Sequence, residues 1–337
     1  MALRTTFTRG AGWSVWVWRR SVPMRMGQCV VARVTHWYEV VVHGAHPTNT
    51  TADDDSRNAD DSDRLLAAAM ALAGRRPAIL TGAGGSTDSG IPDYRGEGTR
   101  QRARRPVRFG EYVASDHARR RYWARACVGW PRIRDAQPNA THNAVARWCL
   151  SGRATGCITQ NVDGLHQRAG AEDVVELHGA LRLVRCLACD RVIEREAVQD
   201  QLLANNPWFA ALVAERSAGD ATGAAPDGDT DLDDEMIARF HIVDCVCGGA
   251  LKPAVVFFGE NAEAPVVQAA WRMSEASTAL LVLGTSLEVW SGRRFVEAAA
   301  KRGLPIVIIN RGPTRSDHLA TVRIDGSIAE ALVALTP

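Results

Sequence analysis

Short apolar runs alternate with longer helix-forming stretches from about residue 63 to the end of the chain. Runs such as 77–80 and 279–283 have the length and the residue types of buried strands. Strands that alternate with helices predict an α/β fold with a parallel, doubly wound sheet. The predicted strands are residues 77–80, 156–159, 174–177, 279–283, 305–309 and 322–324, and the predicted helices include 266–274, 293–301 and one that ends at Gly74.

Residues 1–48 do not continue this pattern and are rich in arginine and poor in acids. Three interpretations stay open for them: an organelle transit peptide, a stretch translated from a wrongly assigned start codon, and a disordered arm. The Asp-rich residues 50–63 predict a solvated linker. The candidates for the N-cap of the helix that follows this linker are Asp61, Ser62 and Asp63. We therefore expect residues 1–62 to lie outside the folded core.

The alternating pattern is interrupted between Cys186 and Cys247. Residues 218–235 in this insertion are acidic and turn-rich, and they contain too few apolar residues to form a core of their own. Another interaction must therefore hold the insertion together.

Two closely spaced cysteine pairs flank this insertion. Cys186 and Cys189 have the spacing of a zinc knuckle, whereas Cys245 and Cys247 are one residue closer than usual. The pairs predict a zinc site of four thiolates whose binding energy organises the insertion. Two alternatives stay open: His241 or Asp244 replaces one thiolate, or the cysteines are unligated core thiols.

Composition narrows the class of protein. The 337-residue chain has a formal net charge of +2 and eight cysteines, four of which are scattered through apolar or mixed segments. The small charge gives no reason to expect nucleic-acid or membrane binding. The cysteine pattern favours an intracellular protein over a disulfide-bonded secreted one. No run approaches the ~20 apolar residues of a membrane span.

A glycine-rich loop, "TGAGGSTDSGIPDYRG" (81–96), directly follows the first predicted strand. Small residues at a strand end let backbone amides approach a pyrophosphate, although an ordinary turn has the same composition. No second strand ending in an acidic residue follows about 20 residues later, as a hydride-transferring dehydrogenase would require. The loop therefore indicates a nucleotide site and disfavours that class of enzyme.

Three further segments carry candidate chemistry. Polar residues crowd the strand end in "TQNVDGLHQRAG" (159–170), where a ligand site and a helix-capping turn are both consistent with the pattern. His178 follows another strand and suits a general base, although a lone histidine is often structural. The segment "LKPAVVFFGE" (251–260) predicts either an edge strand for an extended peptide or a plain buried strand.

Taken together, these segments resemble the motifs of the sirtuin family of NAD-dependent protein deacylases. The similarity also includes "ELHG", "LGTSLEV" and "IINRGPTRSD" and covers residue 63 to the C-terminus. "RYWARACVGWP" and "APDGDTDLDD" are similar to the class II branch. The resemblance implies a Rossmann-like NAD-binding lobe at about 63–95, 150–182 and 255–337, a small zinc lobe at about 183–253, and a cofactor-loop and helical segment at about 96–149.

The resemblance also implies roles for individual residues. The implied catalytic residues are His178 and Asn161, and the implied zinc ligands are Cys186, Cys189, Cys245 and Cys247. The implied NAD-binding residues are Gly82, Ala83, Gly84, Ser86, Gly90, Ile91, Pro92, Asp93, Tyr94, Arg95, Gln160, Asn161, Val162, Asp163, Gly284, Thr285, Ser286, Asn310, Arg311, Gly312 and Ile328. The implied peptide-binding residues are Val256, Phe257, Phe258, Gly259 and Glu260.

The implied reaction is transfer of an acyl group from lysine to the ribose of NAD, with release of nicotinamide and O-acyl-ADP-ribose. His178 would take a proton from a ribose hydroxyl. Protein mono-ADP-ribosylation in the same pocket is the alternative activity, and a binding module without turnover is the alternative outside enzymology. We expect an acylated-lysine protein as partner and a cytoplasmic, bacterial setting, or a mitochondrial one if the N-terminal extension is a transit peptide.

The chain departs from the usual family pattern at three places. Ala254 stands where an acidic residue is frequent, Gly85 where a β-branched residue is usual, and the second cysteine pair is short. We expect Gly85 to loosen the loop without removing a ligand.

Overall fold

The computed structural model describes residues 15–16, 41–42, 52–93, 106–218 and 232–335. The chain divides into two units, Met1–Ala59 and Asp60–Pro337. In the first unit, strands β1 (Val15–Trp16) and β2 (Val41–Val42) pair antiparallel. The rest of residues 1–48, to which the transit-peptide, start-codon and disordered-arm interpretations apply, lies outside the described residues.

The second unit is built on a parallel sheet of six strands, counted among the described residues. These strands are β3 (Pro77–Thr81), β4 (Gly156–Thr159), β5 (Val174–Glu176), β9 (Ala279–Leu283), β10 (Ile306–Ile309) and β11 (Val322–Ile324). Their order is β11-β10-β9-β3-β4-β5, and each neighbouring pair is parallel. The predicted α/β fold with a doubly wound parallel sheet is confirmed.

Helices cover both faces of this sheet. The described helices are α1 (Ala52–Leu72), α2 (Phe109–Ala114), α3 (Asp116–Asp135), α4 (Ala140–Leu150), α5 (Leu165–Arg168), α6 (Arg195–Asn205), α7 (Pro207–Ala218), α8 (Asp234–Arg239), α9 (Ala264–Glu275), α10 (Trp290–Lys301) and α11 (Ile328–Ala334). Alternate residues of β9 show the two-sided burial: Leu281 packs in a cluster with α4 and α11, and Val282 packs in a second cluster with α10.

Helix α1 begins earlier than predicted. We expected its N-cap among residues 61–63, but the helix starts at Ala52 and includes most of the Asp-rich segment that we interpreted as a linker. Acidic residues are favourable in the first turns of a helix because they interact with the positive end of the helix dipole. The acidic composition of this segment is therefore compatible with a helix as well as with a linker.

A small antiparallel sheet and several helices form a second lobe. The sheet has the order β7-β6-β8, where β6 is Gly179–Cys186, β7 is Val192–Glu194 and β8 is Leu251–Val255. Its core contains Phe209 and Phe240 from the insertion and also Trp123 from α3. The predicted small lobe is confirmed, and its lack of apolar residues is met in part by a helix that precedes it in the chain.

The order of the strands fixes where a ligand can bind. The chain runs from β3 through β4 to β5 on one side, and later from β9 through β10 to β11 on the other side. The direction of winding therefore reverses between β3 and β9. At such a point the connections that follow the two strands lead to opposite faces of the sheet, and open α/β sheets bind ligands there. Within the ranges that the structure describes, no helix is long and apolar enough to span a bilayer.

Candidate active site

Two glycine-containing loops interlock at the point where the winding reverses. One follows β3 and the other follows β9, and the Gly84 amide donates a 2.9 Å hydrogen bond to the Gly284 carbonyl. A β-carbon at Gly82 would lie 2.6 Å from that of Thr285, and one at Gly84 would lie 3.0 Å from the Gly284 carbonyl oxygen. Such distances leave no room for a side chain, so only glycine lets the two backbones pack this closely. We call this pair of loops the cradle.

The hydroxyl of Ser86 connects this cradle to the loop after β4. Ser86 Oγ donates to Asp163 Oδ2 at 2.7 Å and accepts from Asn161 Nδ2 at 3.0 Å. The same Asn161 amide donates to the Gly82 carbonyl at 3.1 Å. Burial raises the pKa of Asp163, and the hydrogen bonds that its carboxyl accepts from Leu165 N and Ser86 partly oppose this rise. The sequence-predicted Ser86, Asn161 and Asp163 therefore form one polar network.

Two buried histidines extend this network, and sequence reasoning gave no role to His142. Burial lowers the pKa of His142 to about 4 and that of His166 to about 3, so both rings are neutral near pH 7. His142 Nδ1 accepts from the Asn139 amide at 3.2 Å, which leaves the proton on Nε2, 3.3 Å from Ser86 Oγ. An Asn three residues before a His at the start of a predicted helix was the available signal, since this pattern resembles a capping box.

His178 lies between the loop after β4 and the first turn of α10. Its Nδ1 is 2.9 Å from the Gln160 carbonyl oxygen, and its Nε2 is 2.7 Å from Ser291 Oγ. Burial lowers the pKa of His178, and the charge of Arg294 acts in the same direction. The hydrogen bond to Gln160 opposes this shift. A neutral imidazole beside the cradle is suited to accept a proton.

The loops on the other side of β3 contain seven of the residues that the resemblance implies to bind NAD. These residues are Gly284, Thr285 and Ser286 after β9, Asn310, Arg311 and Gly312 after β10, and Ile328 at the start of α11. Gln160 Nε2 donates to Thr285 Oγ1 at 3.0 Å and so joins this side to the His178 side. Asn310 Nδ2 donates to the carbonyls of Arg311 and Gly312, so its amide stabilises its own loop.

The end of the glycine-rich loop contains residues with differing surroundings. Ile91 is 2% exposed and packs in a cluster with Val107 and Tyr112, so it supports the loop from within the protein. Gly90 has a φ of 80° and ends a short 3-10 turn. Pro92 and Asp93 are half-buried. The predicted residues Tyr94 and Arg95 lie outside the described residues.

The backbone at Gly85 is more restrained than we expected for a glycine at this position. The Asn139 side-chain amide donates to the Gly85 carbonyl at 2.9 Å, which ties the loop to the start of α4. A β-carbon at Gly85 would make only an ordinary 3.8 Å contact with Thr141. The structure therefore has space for a larger residue there and restrains the loop by another route.

The segment implied to bind the peptide begins next to His178. The Val256 amide donates to the His178 carbonyl at 2.8 Å, and Phe258 is 48% exposed. Strand β8, which precedes it, is both largely buried and at the edge of its sheet as described. The interpretation of residues 251–260 as a buried strand thus holds for β8, and the five residues implied to bind the peptide follow it.

Glu260 holds this loop in shape. Its Oε2 accepts from the Phe257 amide at 2.8 Å and lies 3.0 Å from Lys252 Nζ. Lys252 is 6% exposed, and its ammonium also donates to the Val255 carbonyl at 2.6 Å. Gly259 has a φ of 83°, which favours glycine at this turn. The Glu260 carboxylate is therefore engaged within the loop, and Lys252 is its partner, which sequence reasoning did not identify.

The four cysteines of the two pairs come together in the small lobe. Their sulfur atoms all lie within 4.8 Å of one another. The Sγ atoms of Cys186 and Cys247 are 3.5 Å apart, and those of Cys189 and Cys245 are 3.8 Å apart. Four sulfurs at about 2.3 Å from one tetrahedral zinc ion would be separated by about 3.8 Å. The residues present therefore fit a single structural zinc ion.

The short spacing of the second pair is accommodated by the two glycines that follow it. Gly248 has a φ of 78°, and its amide donates to the Cys245 carbonyl at 2.8 Å. A β-carbon at Gly249 would lie 2.7 Å from Cys186 Sγ. This tight turn lets both Cys245 and Cys247 join the cluster. Neither of the two alternative ligands, His241 and Asp244, is a member of the cluster found among the described residues.

The geometry around the cradle fits a dinucleotide. The two glycine loops pack backbone against backbone at the carboxyl ends of β3 and β9, which is where open α/β sheets bind nucleotides. The polar network and a neutral imidazole lie on one side, and the implied NAD-binding residues that follow β9 and β10 lie on the other.

Comparison with known proteins supports the resemblance that the motifs indicated. A sequence model of the Sir2 family matches residues 82–291. An NAD-dependent protein deacetylase of Xanthomonas axonopodis pv. citri is 49% identical over 258 residues, which cover 76% of this chain and 85% of the relative. The NAD-dependent protein lipoamidase sirtuin-4, mitochondrial, of Bos taurus is 43% identical over 267 residues, which cover 78% of this chain and 82% of the relative.

Solved structures agree with these sequence matches. A structure of Sir2 with a p53 peptide and NAD⁺ has a TM-score of 0.59 and 28% identity, and the match covers 78% of this chain and 93% of that one. An ADP-ribose complex of a mutant Sir2 homologue has a TM-score of 0.61 and 28% identity, with coverage of 80% of this chain and 93% of that one.

Proposed function

The chain belongs to the Sir2 family, and from this membership we propose that it is an NAD-dependent protein-lysine deacylase releasing nicotinamide and O-acyl-ADP-ribose. Because the acyl group passes from lysine to a sugar hydroxyl, the enzyme is formally a transferase. The names of its relatives support this activity, and so does the similarity to a structure with NAD⁺ and a peptide.

The observation that carries the proposal is the position of His178. Its imidazole is neutral, its Nδ1 is fixed by the Gln160 carbonyl, and its own carbonyl holds the start of the peptide segment at Val256. One residue thus joins the nucleotide side and the peptide side of the site. A base placed between two substrates is what a transfer from one to the other requires.

Different residues of the chain have different roles in the proposed reaction. When bound, NAD supplies the anomeric carbon that is attacked and the ribose hydroxyl that accepts the acyl group. His178 is the general base for the loss of that hydroxyl's proton, with Nε2 as the accepting nitrogen. Asn161 and Asp163, fixed through Ser86, line the ribose and nicotinamide side with oriented dipoles. The interlocked glycines position the pyrophosphate, and the segment from Val256 to Glu260 positions the acylated lysine.

Incubation of the purified chain with NAD and a panel of acyl-lysine peptides tests the proposal. The panel includes acetyl, propionyl, lipoyl and succinyl groups, and nicotinamide release and peptide mass are measured together. We expect peptide-dependent nicotinamide release, loss of the acyl mass and formation of O-acyl-ADP-ribose, all lost in His178→Ala. ADP-ribose added to protein without deacylation would instead indicate the mono-ADP-ribosyltransferase, and NAD binding without any release would indicate a binding module.

We also propose that the protein acts in the cytoplasm on acylated proteins and has no nucleic-acid or membrane partner. The net charge of +2 and the absence of a disulfide-type cysteine pattern support this setting. Fractionation of cells that express the full chain, with a blot for the protein, tests it. Recovery with mitochondria would favour the transit-peptide interpretation of the N-terminal extension.

A further inference from the structure

The Nε2 lone pair of His178 already accepts a hydrogen bond in the structure. The Gln160 carbonyl oxygen can only accept, so His178 Nδ1 must carry a proton and donate it across the 2.9 Å contact. In the neutral ring, Nε2 is then an acceptor. Ser291 Oγ, 2.7 Å away, must donate its proton to Nε2. A ribose hydroxyl can therefore reach the base only by displacing Ser291 or by acting through it.

Ser291 is held in place from two sides. It lies in the first turn of α10, where Arg294 Nε donates to its carbonyl at 3.1 Å. The next residue, Gly292, lets Gln160 pack closely, because a β-carbon at 292 would lie 2.5 Å from Gln160 Oε1. Gln160 thus orients the imidazole with its carbonyl while its side chain contacts the segment that carries Ser291. The serine and the histidine are fixed by the same residue.

The hydroxyl has the polarity that a proton relay needs. A serine hydroxyl has one proton and two acceptor lone pairs. The proton of Ser291 is committed to His178, and this is the hydroxyl's one hydrogen bond found among the described residues. Its acceptor lone pairs remain available. If the ribose hydroxyl displaced Ser291 from His178, the Ser291 proton would need a new acceptor. A relay keeps the hydrogen bond between Ser291 and His178.

We propose that Ser291 is a further catalytic residue that relays the ribose proton to His178. The inference rests on the proposed deacylase function. As the ribose O–H bond breaks, its proton passes to Ser291 Oγ, and the Ser291 proton passes to the His178 Nε2 lone pair. The ribose oxygen keeps the electron pair of its O–H bond and bonds to the acyl carbon, while the π electron pair between that carbon and the lysine nitrogen moves onto the nitrogen. His178 becomes an imidazolium, Ser291 ends as a neutral hydroxyl, and no other reactant is needed.

Kinetics of two separate steps test the relay. Exchange of labelled nicotinamide into NAD in the presence of acyl peptide reports the step before proton transfer, and single-turnover formation of O-acyl-ADP-ribose reports the step that includes it. We expect Ser291→Ala to slow acyl transfer by about tenfold or more, within the range of acid–base contributions, while exchange stays within about twofold. Ser291→Thr, which keeps the hydroxyl, should restore most of the acyl-transfer rate.

Ser151→Ala is the control, since this exposed serine ends α4 and precedes the amino end of β4, whereas the site lies at the carboxyl ends of the strands. We expect both of its rates to equal those of the wild type. The relay is wrong if Ser291→Ala keeps acyl transfer within twofold of the wild-type rate, or if it loses exchange and acyl transfer in equal proportion. A wild-type chain with neither activity would instead contradict the proposed function.

A second measurement uses the protein without NAD. Long-range ¹⁵N–¹H spectra resolve the imidazole nitrogens of the nine histidines, and His178→Ala identifies the signals of His178. We expect a protonated Nδ1 and a hydrogen-bonded, unprotonated Nε2, with only the Nε2 signal moving in Ser291→Ala. An Nε2 signal that does not change in this variant would show that the serine does not donate to the base.

Discussion

The protonation state of a single imidazole decides what this site can do. His178 is buried, and both its burial and the nearby charge of Arg294 disfavour the imidazolium. Its pKa therefore lies below the ordinary histidine value of about 6.5. A base of this kind is ready at neutral pH without prior deprotonation.

The pH dependence of acyl transfer follows from the downward shift of the His178 pKa. As pH falls through the lowered pKa of His178, the imidazole gains a proton and can no longer accept one, so the rate falls. We expect the single-turnover rate of acyl transfer to fall with a midpoint below about pH 6.5, the ordinary histidine value. Nicotinamide exchange at each pH is the control for loss of substrate binding. A midpoint at or above pH 7 in the acyl-transfer profile would contradict the assigned environment.

At the scale of elements, the site depends on how strand ends and helix starts are joined. Ser86 comes from the loop after β3, Asp163 from the loop after β4, and His142 from the first turn of α4. One hydroxyl thus links three elements that are far apart in the sequence. Because its partners are buried, loss of this hydroxyl leaves them without water to replace it.

Ser86→Ala should therefore destabilise the protein measurably. We expect the free energy of unfolding to fall by about 1–3 kcal/mol, since Asp163 loses a donor and Asn161 loses an acceptor. Urea unfolding monitored by circular dichroism measures this change. The matched control is Ser89→Ala in the same loop, because Ser89 Oγ is buried and has no hydrogen-bond partner in the described part of the chain. Equal losses in the two variants would show that the Ser86 network adds no stability.

At the scale of the whole molecule, the cysteine cluster and an apolar core together hold the small lobe. Cys186 and Cys245 are part of the same buried cluster as Val198 of α6 and Ile237 of α8. Metal binding at the sulfurs therefore fixes the edge of that core. Because such sites seldom form in an unfolded chain, zinc affinity contributes directly to folding.

Removal of the metal should loosen the small lobe before the large sheet. We expect about one zinc ion per chain in the purified protein, and loss of most of it in Cys186→Ser. Metal analysis combined with hydrogen exchange should show faster exchange in α6 and α8 than in β3 or β9. Cys149→Ser, which changes a half-buried thiol outside the cluster, should keep its zinc. A metal-free protein with unchanged protection in α6 and α8 would refute this role.

The large sheet could be predicted from the sequence because its strands are short and its central strands are largely apolar. Runs such as 279–283 are buried at every position, so local composition alone identifies them. The cysteine pairs were equally informative, since their spacing reflects local ligand geometry. By contrast, the contribution of Trp123 to the small lobe depends on packing between segments distant in the chain, which no local pattern reports.

The candidate site was predictable only in part, for a related reason. Loop residues such as Gly84 and Asn161 belong to recognisable motifs, and the structure brings them to one crevice. Ser291 has no such signal, because a serine at a helix start is common and its contact with His178 exists only in the folded chain. Glu260 shows the opposite case: its motif suggested a peptide contact, whereas its carboxylate is paired with Lys252.

The close approach of the loops at Gly84 and Gly284 has a practical consequence for engineering. Neither Gly84 nor Gly284 has space for an added carbon, so a substitution at either position requires the facing loop to move. A library of variants designed to bind an altered nucleotide must therefore change both loops together. The alternative is a larger residue at Gly85, where an added methyl group would make an ordinary van der Waals contact.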